Sequence, residues 1–370
     1  MPHSREDKTV GNRKDEHLTI CTKNQDITMD KSTFFEDFHL IPRALPDFDY
    51  NDVDTSTEFL GHKFNFPLLF SSLTGGSKKA AHINETLASI AEEFQVGIAV
   101  GSQKAALENP KLADSYKIVR KKAPTTFVAA NIGAVNLNYG LTIENIKELI
   151  EMINADALFL HLNALQELIQ PEGETNFSNL SKKIELVCKE LSIPVIVKEV
   201  GCGISQEDAE LLVNCNVDVI DIAGAGGTSW AKIEALRAKQ KEKTIKSFLG
   251  ETFSNWGLPT AISTLEVSQF IPSIKIISSG GIRNGKQAVK ALVMGASLVG
   301  IGLPLLETLS KSGKQGLRTW LTRFFEEIKT TMFLIGVKTI NNLQTAPYIL
   351  TGFLKEWFAI RGSKIKENTQ

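Results

Sequence analysis

The sequence predicts a single (β/α)8 TIM barrel with an N-terminal hairpin and a long insertion between its sixth and seventh strands. Three observations carry that reading. Eight short, β-rich apolar runs recur along the chain, stretches of helical period separate most of them, and the runs end in glycines or polar clusters. Strands alternating with helices imply parallel pairing through right-handed crossovers, and closing eight such units gives a barrel whose chemistry gathers at the C-terminal strand ends. An open doubly wound sheet is the competing architecture for the same pattern. A length of 370 residues would suggest two average domains, but these barrels reach that size as one.

The first residues, 1–12, are polar and charged and lack the apolar core of a signal peptide; they read as a flexible arm before a barrel spanning 13–362. Next comes Arg13-Lys14-Asp15-Glu16-His17, a cluster that is either a solvated patch or a diphosphate site, since Arg offers a planar fork, Lys a point charge and His a further donor. Residues 30–50, with Phe34, Phe35, Phe38, Leu40 and Ile41, suit an irregular cover, and 56–66 alternates about Leu60-Gly61-His62 as a hairpin that closes the barrel bottom. The eight runs are 67–72, 96–102, 126–133, 157–163, 194–200, 217–224, 275–281 and 297–302. Helical stripes lie between them: Ile83, Leu87, Ile90, Ala91 and Phe94; Ile143, Ile146, Leu149, Ile150 and Ile153; Phe177, Leu180, Ile184, Val187 and Leu191. Ser205 and Asp208 mark a capped helix start. The insertion, 225–274, contains a charge-rich helix over 232–246 and has the length of an active-site lid. A closing helix is expected over 313–336, a further helical piece around Phe353 to Phe358, and a disordered polar tail over 363–370.

Composition narrows the function. A net charge of −1 gives no global field for nucleic acid or an anionic membrane, and no apolar run approaches the ~20 residues of a membrane span. The four cysteines form no CxxC pair, so neither a zinc site nor a disulfide framework is indicated, and a reducing cytoplasm fits.

The strand ends carry the chemistry. Gly280-Gly281 after the seventh run and Gly300-Ile301-Gly302 after the eighth stand where barrels of this kind build a phosphate site, with Gly224 to Thr228 as a third backbone-accessible loop. Lys198 ends the otherwise apolar Val195-Ile196-Val197. A lysine is costly to bury there without a partner, and Glu199 faces the opposite side, so an inward functional cation is expected, suited to negative charge at the N1/C2 edge of a reduced flavin. Ser72, Thr74, Ser102 and Asn131 are either neutral donors to such a ring or ordinary strand-end caps. The fourth run ends in His161, Asn163, Gln166 and Glu167. Glu167 is a candidate hard-metal ligand, because Mg²⁺ is usually held by one or two carboxylates plus substrate phosphates. Two absences matter: none of the six histidines follows His161, against a hydroxyacid-oxidising flavoprotein, and the Gly226-Gly227-Thr228 loop lacks the cysteine of the inosine-monophosphate dehydrogenases. Cys202 reads as small filler.

Assembled, these motifs resemble the type II, flavin-dependent isopentenyl-diphosphate isomerases. The matching pieces are the 13–17 cluster, Thr74-Gly75-Gly76, Gly101-Ser102-Gln103, Ala130-Asn131-Ile132-Gly133, His161 to Glu167 with Gln170-Pro171-Glu172-Gly173, Val197 to Gly201, Ala223 to Trp230, Trp256 to Thr260 and Ser279 to Arg283. The resemblance implies a cytoplasmic homo-oligomer, tetramer or octamer, that interconverts isopentenyl and dimethylallyl diphosphate. It implies reduced FMN as the acid/base cofactor, Mg²⁺, and NADPH as reductant. It implies FMN at Ser72, Leu73, Thr74, Ser102, Asn131, Lys198, Thr228, Gly281, Ile282, Arg283, Ile301 and Gly302, and substrate at Arg13, Lys14, His17, His161, Asn163 and Gln166. Gln166, Lys198, Trp230 and Glu234 would serve the reaction itself, the last two near the hydrocarbon end, and Glu167 would hold Mg²⁺. Leu73 departs from the methionine common there and Lys104 from an arginine, and the chain beyond about residue 338 is not accounted for by the resemblance. As the fourth strand, the 157–167 stretch would lie opposite the phosphate loops, with a flavin ring spanning the mouth between them.

Overall fold

All eight apolar runs are strands of one closed parallel barrel. The computed structural model describes residues 10–23 and 26–368, with side chains for 13–23 and 26–361. Helix α1 (Val10–Lys23) comes first, then β1 (Phe38–Leu40) and the hairpin β2 (Thr57–Phe59) and β3 (His62–Phe64), turning at Leu60-Gly61. The barrel strands are β4 (Leu68–Phe70), β5 (Gly97–Ala99), β6 (Val128–Gly133), β7 (Ala157–His161), β8 (Val195–Lys198), β9 (Val219–Asp221), β10 (Lys275–Ser279) and β11 (Leu298–Ile301). They pair in sequence order, and β11 closes onto β4. Each strand is shorter than its apolar run, because the run's ends turn out of the ladder into the loops.

The helices follow the predicted stripes. In α2 (Lys78–Phe94) Ile83, Leu87, Ile90 and Ala91 are buried, and the Ser77 hydroxyl accepts the Ala80 N–H at its start. Next are α3 (Lys104–Glu108) and α4 (Asp114–Lys122), then α5 (Ile143–Ile153), opened by a reciprocal Thr142–Asn145 capping box and ended by left-handed Asn154. Then come α6 (Ala164–Ile169), α7 (Leu180–Glu190) and α8 (Gln206–Asn214); Ser205 caps α8 by accepting the Asp208 N–H.

The insertion differs from expectation. Instead of one helix over 232–246 it holds α9 (Trp230–Gln240) and α10 (Thr244–Thr252), packed on each other, followed by α11 (Thr260–Phe270). The break falls at 241–243, where Glu242 takes a positive φ of 56°. After α12 (Gly285–Val293), α13 spans Leu303–Leu334 and is interrupted by a non-helical Gly313; the part beyond that break is the closing helix expected over 313–336, and a further helical stretch precedes it. The C-terminal extension forms β12 (Tyr348–Leu350), antiparallel to β1, and α14 (Gly352–Asn368). Backbone helix therefore continues over 363–368, where a disordered tail was expected, while most of the expected flexible arm, 1–12, lies outside the described residues. Glu266 of α11, fully buried, receives the Trp357 indole N–H at 2.8 Å and the Arg361 guanidinium at 2.8 Å, which anchors α14 to the barrel wall. No helix among the described residues is long and apolar enough to cross a membrane.

The barrel interior has two layers. Inward positions lie two apart along each strand. The lower layer is apolar: Leu69, Ala129, Ala157, Phe159, Ile196, Val219, Ile277 and Leu298 cluster with Phe59 and Phe64, so the hairpin plugs the bottom. Two residues further up, the same face turns polar, with Asn131, His161, Lys198, Asp221 and Ser279. One strand thus fills the core with its first half and builds the site with its second.

Candidate active site

A cleft of about 230 Å³ opens at the C-terminal end of the barrel. Nearly every residue singled out from the sequence lines it. Ser72, Leu73, Thr74, Ser102, Asn131, Lys198, Thr228, Gly281, Ile282, Arg283, Ile301 and Gly302 form one part of the wall, and Arg13, Lys14, His17, His161, Asn163, Gln166, Glu167 and Trp230 also face it. The one exception is Glu234. It is fully buried behind the wall, where one carboxylate oxygen meets both His17 Nε2, at 2.8 Å, and Gln166 Nε2, at 3.2 Å. The resemblance implied a place with Trp230 near the hydrocarbon end of the substrate, but not this depth.

The β10 and β11 ends meet phosphate-site requirements. Gly280 and Gly281 have φ of 103° and 71°, and a Cβ on either would collide with the Gly224 or Gly226 backbone, so only glycine fits. Helix α13 begins at Gly302 with no side-chain cap, leaving its first turn available to an anion. Arg283 faces the same region, and burial lowers its pKa. Nearby, the Ser71, Ser72 and Thr74 hydroxyls are buried without a partner. Buried polar atoms are rarely left unpaired, so these hydroxyls await a polar ligand. The residues here fit a bound flavin phosphate and ring.

The polar layer is electrostatically tuned. The Lys198 ammonium is buried and donates to the Glu199 carbonyl at 2.6 Å. Its register partner on β9 is Asp221, whose pKa is raised by burial and tempered by Lys198 and by the Ser279 hydroxyl at 2.5 Å. The Glu199 carboxylate turns away from the cleft and accepts three successive N–H groups, of Val200, Gly201 and Cys202. Burial still pushes it up to about 7. The Cys202 thiol is pushed up by burial and by Glu199, consistent with filler rather than nucleophile. His161 is lowered to about 3 by burial, with Lys198, Lys14 and Arg13 adding repulsion, so it is neutral. Its Nδ1–H donates to Asn131 Oδ1 at 3.0 Å, which leaves the Nε2 lone pair for a ligand. Gly133 makes that room, since a Cβ there would lie 3.0 Å from Nε2.

On the opposite side, Glu167 accepts from Asn163 Nδ2 at 2.9 Å and from the Glu174 N–H at 2.7 Å, and burial raises its pKa. Asn163 Oδ1 beside it is buried and unpartnered. A carboxylate and a free amide oxygen are donors suited to a hard cation. They form no protein-only cage: among the described residues no three His, Cys, Asp or Glu converge. Lys104 also lines the cleft and pairs with Glu174 at 2.6 Å.

Helix α1 supplies the remaining wall. Arg13, Lys14, His17, Leu18 and Cys21 follow the three-to-four spacing of one helical face and point into the cleft. Burial, with Arg13 beside it, lowers Lys14 to about 7, and burial lowers His17. The His17 ring meets Trp230 edge-on at 5.2 Å. Asp15 accepts from the Ser77 hydroxyl at 2.6 Å on one flank, and Glu16 meets Arg237 at 2.9 Å on the other. The sequence reading missed α1 as a helix, and it missed Ser71, Asp221 and Arg237. Asp221 carried a usable signal, a carboxylate in an apolar strand.

The model of the FMN-dependent dehydrogenase family matches residues 147–349. Among curated relatives, the isopentenyl-diphosphate delta-isomerase of Methanosarcina mazei is 42% identical, covering 97% of this chain and 97% of its own. The protein of that name from Methanothermobacter thermautotrophicus is 40% identical over 97% and 98%, and that from Pyrococcus furiosus 41% over 94% and 89%. Among solved structures, a mandelate oxidase superimposes with a TM-score of 0.61 at 17% identity, over 90% of this chain and 94% of its own. A flavocytochrome b2 variant gives 0.64 at 19%, over 91% and 83%. That distant likeness shows the fold alone.

Proposed function

Because the chain belongs to the FMN-dependent isopentenyl-diphosphate delta-isomerase family, we propose that its cleft binds FMN, Mg²⁺ and a C5 diphosphate and interconverts isopentenyl and dimethylallyl diphosphate. One observation carries the reading. Strand β7, with Gln166 and Glu167 beyond its end, stands four strands from β11 in the eight-strand ring, directly across from the phosphate loops. One side therefore suits the flavin phosphate and the other a metal-bound diphosphate.

Ser72, Leu73, Thr74, Ser102, Asn131, Thr228, Gly281, Ile282, Arg283, Ile301 and Gly302 hold FMN, with Lys198 the buried cation that offsets negative charge on the reduced ring. Glu167 and the free Asn163 oxygen hold Mg²⁺. Arg13 and Lys14 take the charge of the diphosphate end, and His17, His161, Asn163 and Gln166 line the substrate pocket beside it. Reduced FMN, when bound, supplies the acid/base chemistry at the isoprenoid carbons, and NADPH is the reductant. Moving a double bond through proton transfer develops positive charge at carbon. The Trp230 face stabilises that charge by cation–π attraction. Helix α1 closes the cleft side and excludes water that would quench it. The diphosphate, remote from the reacting carbons, provides binding energy that positions the alkene. A cytoplasmic homo-oligomer belongs to this proposal on the family resemblance alone.

The test is anaerobic incubation of the pure protein with FMN, NADPH, Mg²⁺ and isopentenyl diphosphate. Dimethylallyl diphosphate should form without net consumption of reduced flavin. No product from fully reduced holoenzyme would overturn the proposal. Stoichiometric flavin oxidation by a substrate would instead identify an oxidoreductase.

A further inference from the structure

Arg237 is the largest fully buried side chain among the described residues, yet it does not line the cleft. Its guanidinium meets three carboxylates: Nη1 to Glu234 at 2.6 Å, Nε to Glu16 at 2.9 Å and Nη2 to Glu172 at 2.9 Å. They belong to three separate pieces of the site, α9, α1 and the turn after α6. Lys241, just past the end of α9, adds contacts to Glu172 at 2.8 Å and to Glu16 at 3.4 Å. Buried ion networks are poor sources of net stability, because desolvation offsets much of the attraction. What such a network fixes is geometry.

The consequential arm is the one to Glu234. Arg237 occupies Glu234 Oε2, so Oε1 is left to accept from His17 Nε2–H and Gln166 Nε2–H together. Burial works against the Glu234 charge, but the bonds to His17 and Arg237 outweigh it and hold the carboxylate below its ordinary range. An ionised Glu234 can only accept. That requirement turns the Gln166 amide nitrogen inward and its oxygen toward Asn163 Nδ2, 3.3 Å away, and it fixes the Nε2–H tautomer of His17. Without Arg237, Glu234 Oε2 would lose its partner and the carboxylate could turn, releasing both orientations.

We propose that Arg237 is a positioning residue for the isomerisation, acting through Glu234 to set Gln166 and His17 toward the substrate. The proposal rests on the isomerase reading above. The test compares the parent, Arg237→Met, Glu234→Gln and the double variant, each loaded with FMN and fully reduced. Arg237→Met should lower kcat about 100-fold, the scale on which misplaced groups cost rate, while flavin affinity stays within about twofold. In the Glu234→Gln background the same change should cost less than about fivefold, because residues acting through one another are not additive. If Arg237→Met does not fold, the double variant, whose pair is neutral, is set against Glu234→Gln, and Arg237→Lys should keep kcat within about tenfold of the parent. A double variant more than about fivefold below Glu234→Gln would show a merely structural role and overturn the inference. So would Arg237→Met with kcat within twofold of the parent. An inactive parent overturns the isomerase reading itself, before any variant is compared.

Discussion

Replacing Glu167 with glutamine changes one atom and removes one charge. In the parent one carboxylate oxygen accepts from Asn163 at 2.9 Å and the other from the Glu174 N–H at 2.7 Å. A glutamine can keep its oxygen on the Glu174 N–H. Its NH2 then faces Asn163, whose Oδ1 has no partner, so a flip of the Asn163 amide restores the second bond at the cost of the longer Asn163–Gln166 contact at 3.3 Å. Burial disfavours the Glu167 charge, so its loss also relieves strain on the fold. Folding stability should therefore change by no more than about 1 kcal/mol, the net worth of one hydrogen bond. Metal binding has no such substitute. The nearby Glu174 carboxylate is held by the Lys104 ammonium at 2.6 Å. Removing the site's carboxylate that has no cationic partner should raise the half-saturating Mg²⁺ concentration at least about 100-fold, or about 2.7 kcal/mol at 1.36 kcal/mol per tenfold. The assay is the initial rate of dimethylallyl diphosphate formation against Mg²⁺ at fixed reduced FMN, with thermal unfolding in parallel. A half-saturating concentration within threefold of the parent would refute the metal assignment. A thermal midpoint lowered by more than about 5 °C would refute the argument from the amide flip.

Three further outcomes are expected. Thr74→Val removes a buried hydroxyl that bonds to nothing in the protein, so urea unfolding of the apoprotein should be unchanged or shifted upward, while flavin titration should show affinity lower by about 1 kcal/mol. Phe59→Ala unplugs the barrel bottom and should cost about 3–5 kcal/mol in urea unfolding with the holoenzyme kcat unchanged, since the ring lies in the lower layer. His161, held neutral down to about pH 3, binds no proton in the folded state where the unfolded chain binds one below its ordinary pKa near 6.5; stability should therefore fall as pH drops below 6.5, and His161→Gln should flatten that slope in thermal scans between pH 6.5 and 5.

The barrel was legible because parallel strands buried on both faces appear as unbroken apolar runs, and because Ser205 marks a helix start by its own chemistry. Lys198 was legible by a simple rule, a charge in such a run, and the same rule would have found Asp221, its register partner. Helix α1 was not, since its apolar face is short and its docking depends on Arg237, some 220 positions away in sequence. Glu234 shows the limit from the other side. The resemblance set it with Trp230, but burial behind Gln166 is decided by how α6 packs on α9, a contact no local pattern encodes. The division of 232–246 into α9 and α10 was hidden because its charged residues suit a helix throughout, while the packing of the two helices on each other fixes the turn.

The two-layered interior also restricts how the barrel strands can change length. With inward positions two apart, deleting a single residue within β8 would swing Lys198 onto the helix-facing side, into the apolar layer occupied by Val195 and Val197, and would turn an aliphatic side chain into the cleft. Core and chemistry would fail together, with no intermediate state in which only one is impaired. The strands can therefore vary in what they carry but not in how many residues they count, and insertions and deletions are confined to the loops and helices between them.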